Sequence, residues 1–272
     1  MATNITLGTM LHIPTAADAR RLAPVARDAG YTCVQTFLTS PNMTHKDVEE
    51  IRDILDEHGL PSAAVCCHLA RNREEDFTFT SIDGVMWLLE AGRILGAPRL
   101  VMWSGSFTND FRGEHPDNMT DKGMDRLETE FRKFVPDAAA AGIQICIEPY
   151  YPHVTGTPER MAAFCSRFED RRVACCLDVP NFISPAIYDR ANELIPHIVR
   201  TVAPHISIVH LKDIKLDAKG NVALPGPGDG ILDYPRLIAE LEKLGRPIIG
   251  ITEHIKPEQF KSAHDFIAGL LS

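Results

Sequence analysis

The sequence predicts an α/β fold, a single (β/α)8 TIM barrel running through residues 1–272, and three observations predict it. Eight short apolar runs recur from one end of the chain to the other, helical patterns with start and stop signals fill the gaps between them, and the length suits one barrel of about 250 residues. A chain of this size can also bury a full core.

The runs are ITLGTML from Ile5, CVQTFL from Cys33, AAVCCHL from Ala63, RLVMWSG from Arg99, IQICIEP from Ile143, VACCLDV from Val173, ISIVHLK from Ile206 and IIGITEH from Ile248. They are apolar on both faces, as strands covered by helices must be. Thr44 precedes HKDVEEIRDILDEHGL, which stops at Gly59, and Thr157-Pro158-Glu159 joins a cap, a first-turn proline and an early acid. Gly30, Gly96, Gly142 and Gly245 each fall between a helical pattern and the next strand, where a left-handed residue is expected. A doubly wound sheet is the competing architecture, but the first strand is not followed by G-x-G-x-x-G. No linker, low-complexity tract or residue-level repeat breaks the series. DNMTDKGMDRLETEFRKF reads as the solvated face of a fourth helix or a homo-oligomer surface. The loop before it, SGSFTNDFRGEHPDN, has the length of a lid.

Composition narrows the function classes. A net charge of −9 argues against nucleic acid and anionic membrane surfaces as partners. No apolar run reaches the roughly 18 residues of a membrane span, and MATNITLGTMLHIPT has no signal-peptide pattern, so a cytoplasmic protein is expected. The seven cysteines are odd in number and contain no C-x-x-C pair, which fits reduced thiols used as small core residues.

In a barrel the active site lies at the C-terminal ends of the strands. Reading those ends in order gives Glu148 on the fifth, Asp178 on the sixth, His210 on the seventh and Glu253 on the eighth. One carboxylate at a strand end is commonly a helix cap or half an ion pair. Four metal-capable side chains on consecutive strands are not, because unpaired they concentrate negative charge in a small concave space at a cost of several kcal/mol. Three carboxylates and one imidazole suit one divalent metal, Mn²⁺ first, with Mg²⁺, Co²⁺ or Zn²⁺ as alternatives.

IEPY at Glu148, LDVPN at Asp178, HLKD at His210, the loop PGPGDGILDY and TEH at Glu253 resemble the xylose isomerase-like superfamily of sugar isomerases and epimerases. The resemblance covers the whole chain, and its motifs concentrate in the second half. It implies that Glu148, Asp178, His210 and Glu253 are the metal ligands of an isomerase or epimerase working on a sugar or keto-polyol through an enediolate. It also implies that Glu148 and Glu253 exchange the substrate's carbon-bound proton. Many members read D-x-x-H on the sixth strand, whereas this chain reads Asp178-Val179-Pro180-Asn181. An amide can hydrogen-bond a hydroxyl but cannot shuttle a proton at neutral pH. A dehydratase or lyase ending in β-elimination is therefore the alternative, and an apurinic-site nuclease is a remote one.

Weaker candidates for substrate contact surround the quartet. His153 follows Glu148 as a candidate acid or base, Lys212 as a binder of substrate oxygen or a carboxylate partner, and Asp213 as a group that orients a ligand. His68 and Trp103 end the third and fourth strands, with Trp103 as an apolar wall for a sugar face, and His12 is a fainter candidate on the first. His254 is expected to point away, since neighbouring strand residues alternate. PGPGDGILDY reads as a structural turn, because no Lys-Ser/Thr follows its glycines.

Overall fold

In the computed structural model, which describes residues 3–38, 43–66, 71–74 and 76–271, eight parallel strands close into a barrel. They are β1 (Ile5–Ile13), β2 (Cys33–Leu38), β3 (Ser62–Cys66), β4 (Arg99–Trp103), β5 (Gln144–Glu148), β6 (Val173–Leu177), β7 (Ile206–Leu211) and β8 (Ile248–Thr252). Each lies inside or overlaps one of the eight apolar runs, and β8 pairs with β1 from Ile248↔Ile5 to Thr252↔Thr9 to complete the ring.

The helix signals act where the sequence puts them. Thr44 accepts from the Asp47 amide while the Asp47 carboxylate accepts from the Thr44 amide, a reciprocal box that satisfies two otherwise orphan donors. Thr157 caps the helix Pro158–Cys165, with its proline in the first turn. Gly30 closes the helix Ala16–Ala29 at φ +108°, and a Cβ there would also meet the His264 ring at 2.7 Å, so neither the backbone nor the space admits a side chain. Gly96, Gly142 and Gly245 take positive φ as well.

Two apolar layers result. The larger lies between strands and helices, and the smaller fills the barrel with Cys33, Phe37, Ala64, Cys66, Val101, Cys146, Cys176, Ile208 and Ile251. Among the described residues six cysteines are buried thiols outside any disulfide, and burial pushes those of Cys33 and Cys146 up to about 11, so they stay protonated. Cys67, the seventh, lies outside the described residues.

The structure departs from the simple alternation in three places. An antiparallel ribbon, Arg71–Glu74 with Phe77–Thr80, stands between β3 and the helix Ile82–Leu95. A second, Lys215–Leu216 with Val222–Ala223, follows β7. The stretch expected as the fourth helix, residues 117–134, holds the helix Asp121–Arg132 after a 3₁₀ turn at Pro116–Met119, and a separate short helix, Val135–Ala140, follows it with Pro136 in the first turn. Among the described residues no helix is long and apolar enough to cross a membrane.

Candidate metal centre at the barrel mouth

The strands β5 to β8 deliver Glu148, Asp178, His210 and Glu253 to one point. Their ligand atoms all lie within 4.8 Å of one another, and each residue is at most 8 % exposed. His210 Nδ1 stands 3.5 Å from Glu148 Oε1, 3.5 Å from Glu253 Oε1 and 3.8 Å from Asp178 Oδ2. Its other ring nitrogen, Nε2, meets Gln35 Oε1 at 3.0 Å.

Local bonding fixes which atom of each group faces inward. Asp178 Oδ1 accepts from the Asn181 amide, leaving Oδ2 toward the cluster. Glu148 is held on both oxygens, Oε2 by Trp103 Nε1 at 2.9 Å and Oε1 by Asn181 Nδ2 at 2.8 Å. Asp178 Oδ2, His210 Nδ1 and Glu253 Oε1 are buried and accept no hydrogen bond. Lys212 Nζ stands among them, in ion pairs of 2.5 Å with Asp178 Oδ2 and 2.6 Å with Glu253 Oε1, and donates to Glu148 Oε1 at 3.5 Å.

The electrostatics follow from this crowding. Burial alone would raise Glu148, but His210 and Lys212 outweigh it and hold the carboxyl down to about 2. Glu253 is driven well below its ordinary value against the same burial by the same two neighbours. Asp178 goes the other way, pushed up to about 6 by burial that Lys212 and His210 only partly offset. Burial would lower Lys212, yet Asp178, Glu253 and Glu148 raise it well above the usual lysine range. The surrounding carboxylates favour the charged form of His210, and three carboxylates against that imidazolium and one ammonium still leave the buried cluster short of positive charge, a shortfall that grows when His210 gives up its proton to a metal. Three inward acceptors without hydrogen bonds and that deficit fit one divalent cation held by oxygen and imidazole nitrogen.

Glu148 and Glu253 of the quartet line a cavity of about 700 Å³. Trp103, Phe111 and Tyr150 form one wall, Phe111 stacking on Tyr150 at 4.9 Å and lying 3.8 Å from the Trp103 ring. His153, Asn181, Lys212 and His12 also line the cavity. Trp103 therefore does more than present a ring face, because its N–H fixes Glu148. His153 Nε2 meets the Phe111 carbonyl at 2.9 Å and so ties the long 104–120 loop to the β5 loop. Phe111 and Arg112, both from that loop, reach the cavity, and only its length had singled it out.

Asp213 does not line the cavity. Its carboxylate accepts from the amides of Ile214, Gly228 and Leu232 and so pins the glycine-rich loop after β7. A Cβ on Gly230 would fall 2.3 Å from Asp213 Oδ1, which explains that glycine by packing. His254, expected to point away, lines the cavity instead. Its φ of +58° lies beyond the end of β8 at Thr252, where strand alternation no longer applies. His68 lies outside the described residues.

Residues 23–270 match the family model described as the xylose isomerase-like TIM barrel. A comparison with curated protein sequences finds no match. Among solved structures, the chain is similar to D-allulose 3-epimerase from Methylomonas sp. (TM-score 0.71, 17 % identity, 99 % of this chain and 100 % of that one). It is similar to a xylose isomerase-like TIM-barrel protein from Mycobacterium smegmatis in complex with magnesium (TM-score 0.66, 17 % identity, 100 % and 98 %). It is also similar to the probable 3-DHS dehydratase of Bacillus anthracis (TM-score 0.69, 10 % identity, 97 % and 98 %). At these identities the structural likeness speaks for the fold, and the family match speaks for descent. The chain belongs to the xylose isomerase-like TIM-barrel family.

Proposed function

We propose that this protein is a divalent-metal-dependent isomerase or epimerase acting on a keto-sugar or related polyol through an enediolate. The observation that carries the reading is the buried quartet of Glu148, Asp178, His210 and Glu253, in which Asp178 Oδ2, His210 Nδ1 and Glu253 Oε1 converge without hydrogen bonds beside an open cavity that Glu148 and Glu253 line. Bound there, a cation supplies Lewis-acid stabilisation of negative charge on the substrate's carbonyl and neighbouring hydroxyl oxygens.

The chain's own residues supply the rest. Glu148 and Glu253 are both held ionised, and both line the cavity, so one can take the carbon-bound proton and the other return one. Glu148 is positioned from three sides by Trp103, Asn181 and Lys212. Asn181 spends its amide nitrogen on Glu148, and its buried Oδ1 has no hydrogen-bond partner, so it can accept from a substrate hydroxyl. Trp103, Phe111 and Tyr150 offer the apolar wall against which a sugar's C–H face packs.

Asn181 also supports a second reading, in which the same enolate loses water or a leaving group, and the dehydratase among the structural relatives points the same way. Incubating metal-loaded protein with a broad panel of ketoses and aldoses in deuterated water tests both. Deuterium entering a C–H position with isomer formation supports the first reading, and a product absorbing in the near ultraviolet supports the second. No exchange with any member of the panel sinks both.

A further inference from the structure

We infer that Gln35 is the positioning residue that fixes the tautomer of His210, directing Nδ1 and its lone pair at the cation site. The inference rests on the metal reading of the quartet and adds to it a residue from the far side of the barrel.

Gln35 sits in the middle of β2, between Cys33 and Phe37, which face the barrel interior, while Val34 and Leu38 belong to the outer core. It is completely buried. An amide placed in such a layer costs free energy unless its polar atoms are bonded, so a strand that otherwise points apolar groups inward carries it for a reason. Both ends are used: Nε2 donates to Cys66 Sγ at 3.2 Å, and Oε1 faces His210 Nε2 at 3.0 Å.

The chemistry follows from the inventory of donors. A neutral imidazole has one N–H and one lone pair. An amide oxygen only accepts, so the nitrogen facing it must carry the hydrogen. That leaves the lone pair on Nδ1, the atom that stands 3.5–3.8 Å from the inward oxygens of Glu148, Asp178 and Glu253 and accepts no hydrogen bond. The Cys66 contact keeps the carbonyl end of the amide turned toward His210. Partners of this kind behind a ligating histidine set both ring orientation and basicity.

Two substitutions separate this role from simple packing. Gln35→Met keeps the length of the side chain and removes the acceptor, whereas Gln35→Glu keeps an acceptor. Titrating Mn²⁺ and Zn²⁺ into the chelator-treated proteins by calorimetry should show affinity about 10–100-fold weaker in Gln35→Met, with Gln35→Glu close to wild type. Nitrogen-15 NMR of the Zn²⁺-loaded wild type needs no variant and should show His210 protonated at Nε2 and metal-bound at Nδ1. Equal metal affinity in wild type and Gln35→Met, or a His210 bound through Nε2, overturns the assignment of Gln35. A wild-type protein that binds neither metal overturns the metal reading itself.

Discussion

At the floor of the barrel, Arg99 donates to Ser207 Oγ and to the Ala63 carbonyl, Ser207 donates to Gln144 Oε1, and Gln144 donates to the Arg171 carbonyl. Every link in that chain is a donor meeting an acceptor. At the mouth, the same strands β5 and β7 carry Glu148 and His210, and there acceptors face acceptors. Asp178 Oδ2, His210 Nδ1 and Glu253 Oε1 crowd together with one lysine among them. The floor network satisfies itself and serves stability, whereas the mouth is incomplete without something positive. Two polar clusters, one half-buried and one buried, thus have opposite meanings, and the balance of donors and acceptors separates them.

The largest expected effect is at the mouth. Glu253→Gln should lower kcat/KM about 10²–10⁴-fold on whichever substrate shows exchange, with the fold intact by circular dichroism. Unchanged turnover would erase the catalytic half of the comparison. Next is the cation. At a metal concentration 100-fold over Kd, wild type should gain about 2.7 kcal/mol of stability, read as a higher Tm that a chelator reverses, and Asp178→Asn should abolish the gain. The affinity itself should fall as pH drops through about 6. Burial holds the Asp178 carboxyl near there rather than in the usual carboxylate range, so below it a proton competes with the cation for Oδ2.

Smaller effects sharpen the boundary between the two ends. Trp103→Phe removes one hydrogen bond to an ionised carboxylate and should reduce kcat about tenfold, leaving KM nearly unchanged. Arg99→Met should do the reverse of the mouth variants. It should cost about 1 kcal/mol in urea denaturation and leave metal affinity where it was. A floor variant that weakened metal binding would show that the two ends are coupled through β5 and β7.

The quartet was legible because a barrel strand ends at its chemistry. Four apolar runs stop at Glu148, Asp178, His210 and Glu253, and no other arrangement of those runs explains the pattern as simply. Residues between strand ends were harder. Phe111 comes from a loop whose length was visible but whose path was not, and His254 escaped the alternation rule because its backbone turns left-handed one residue past Glu253. Asp213 looked like part of the site by adjacency alone, and backbone amides of a loop up to 19 residues away claim its carboxylate.

What the sequence by itself determined is periodic or local: eight apolar strands, the caps at Thr44, Thr157 and Gly30, and the identity of the four strand-end groups. These follow from backbone geometry and side-chain chemistry within a few residues of each position. Only the tertiary structure decided which atoms of those groups are spent and which are free. It turned Trp103 from β4 and Asn181 from the β6 loop onto Glu148, and brought Gln35 across the barrel to His210, 175 positions away in sequence. Such contacts depend on how a closed sheet brings distant strands together, and no local pattern in the chain encodes that distance.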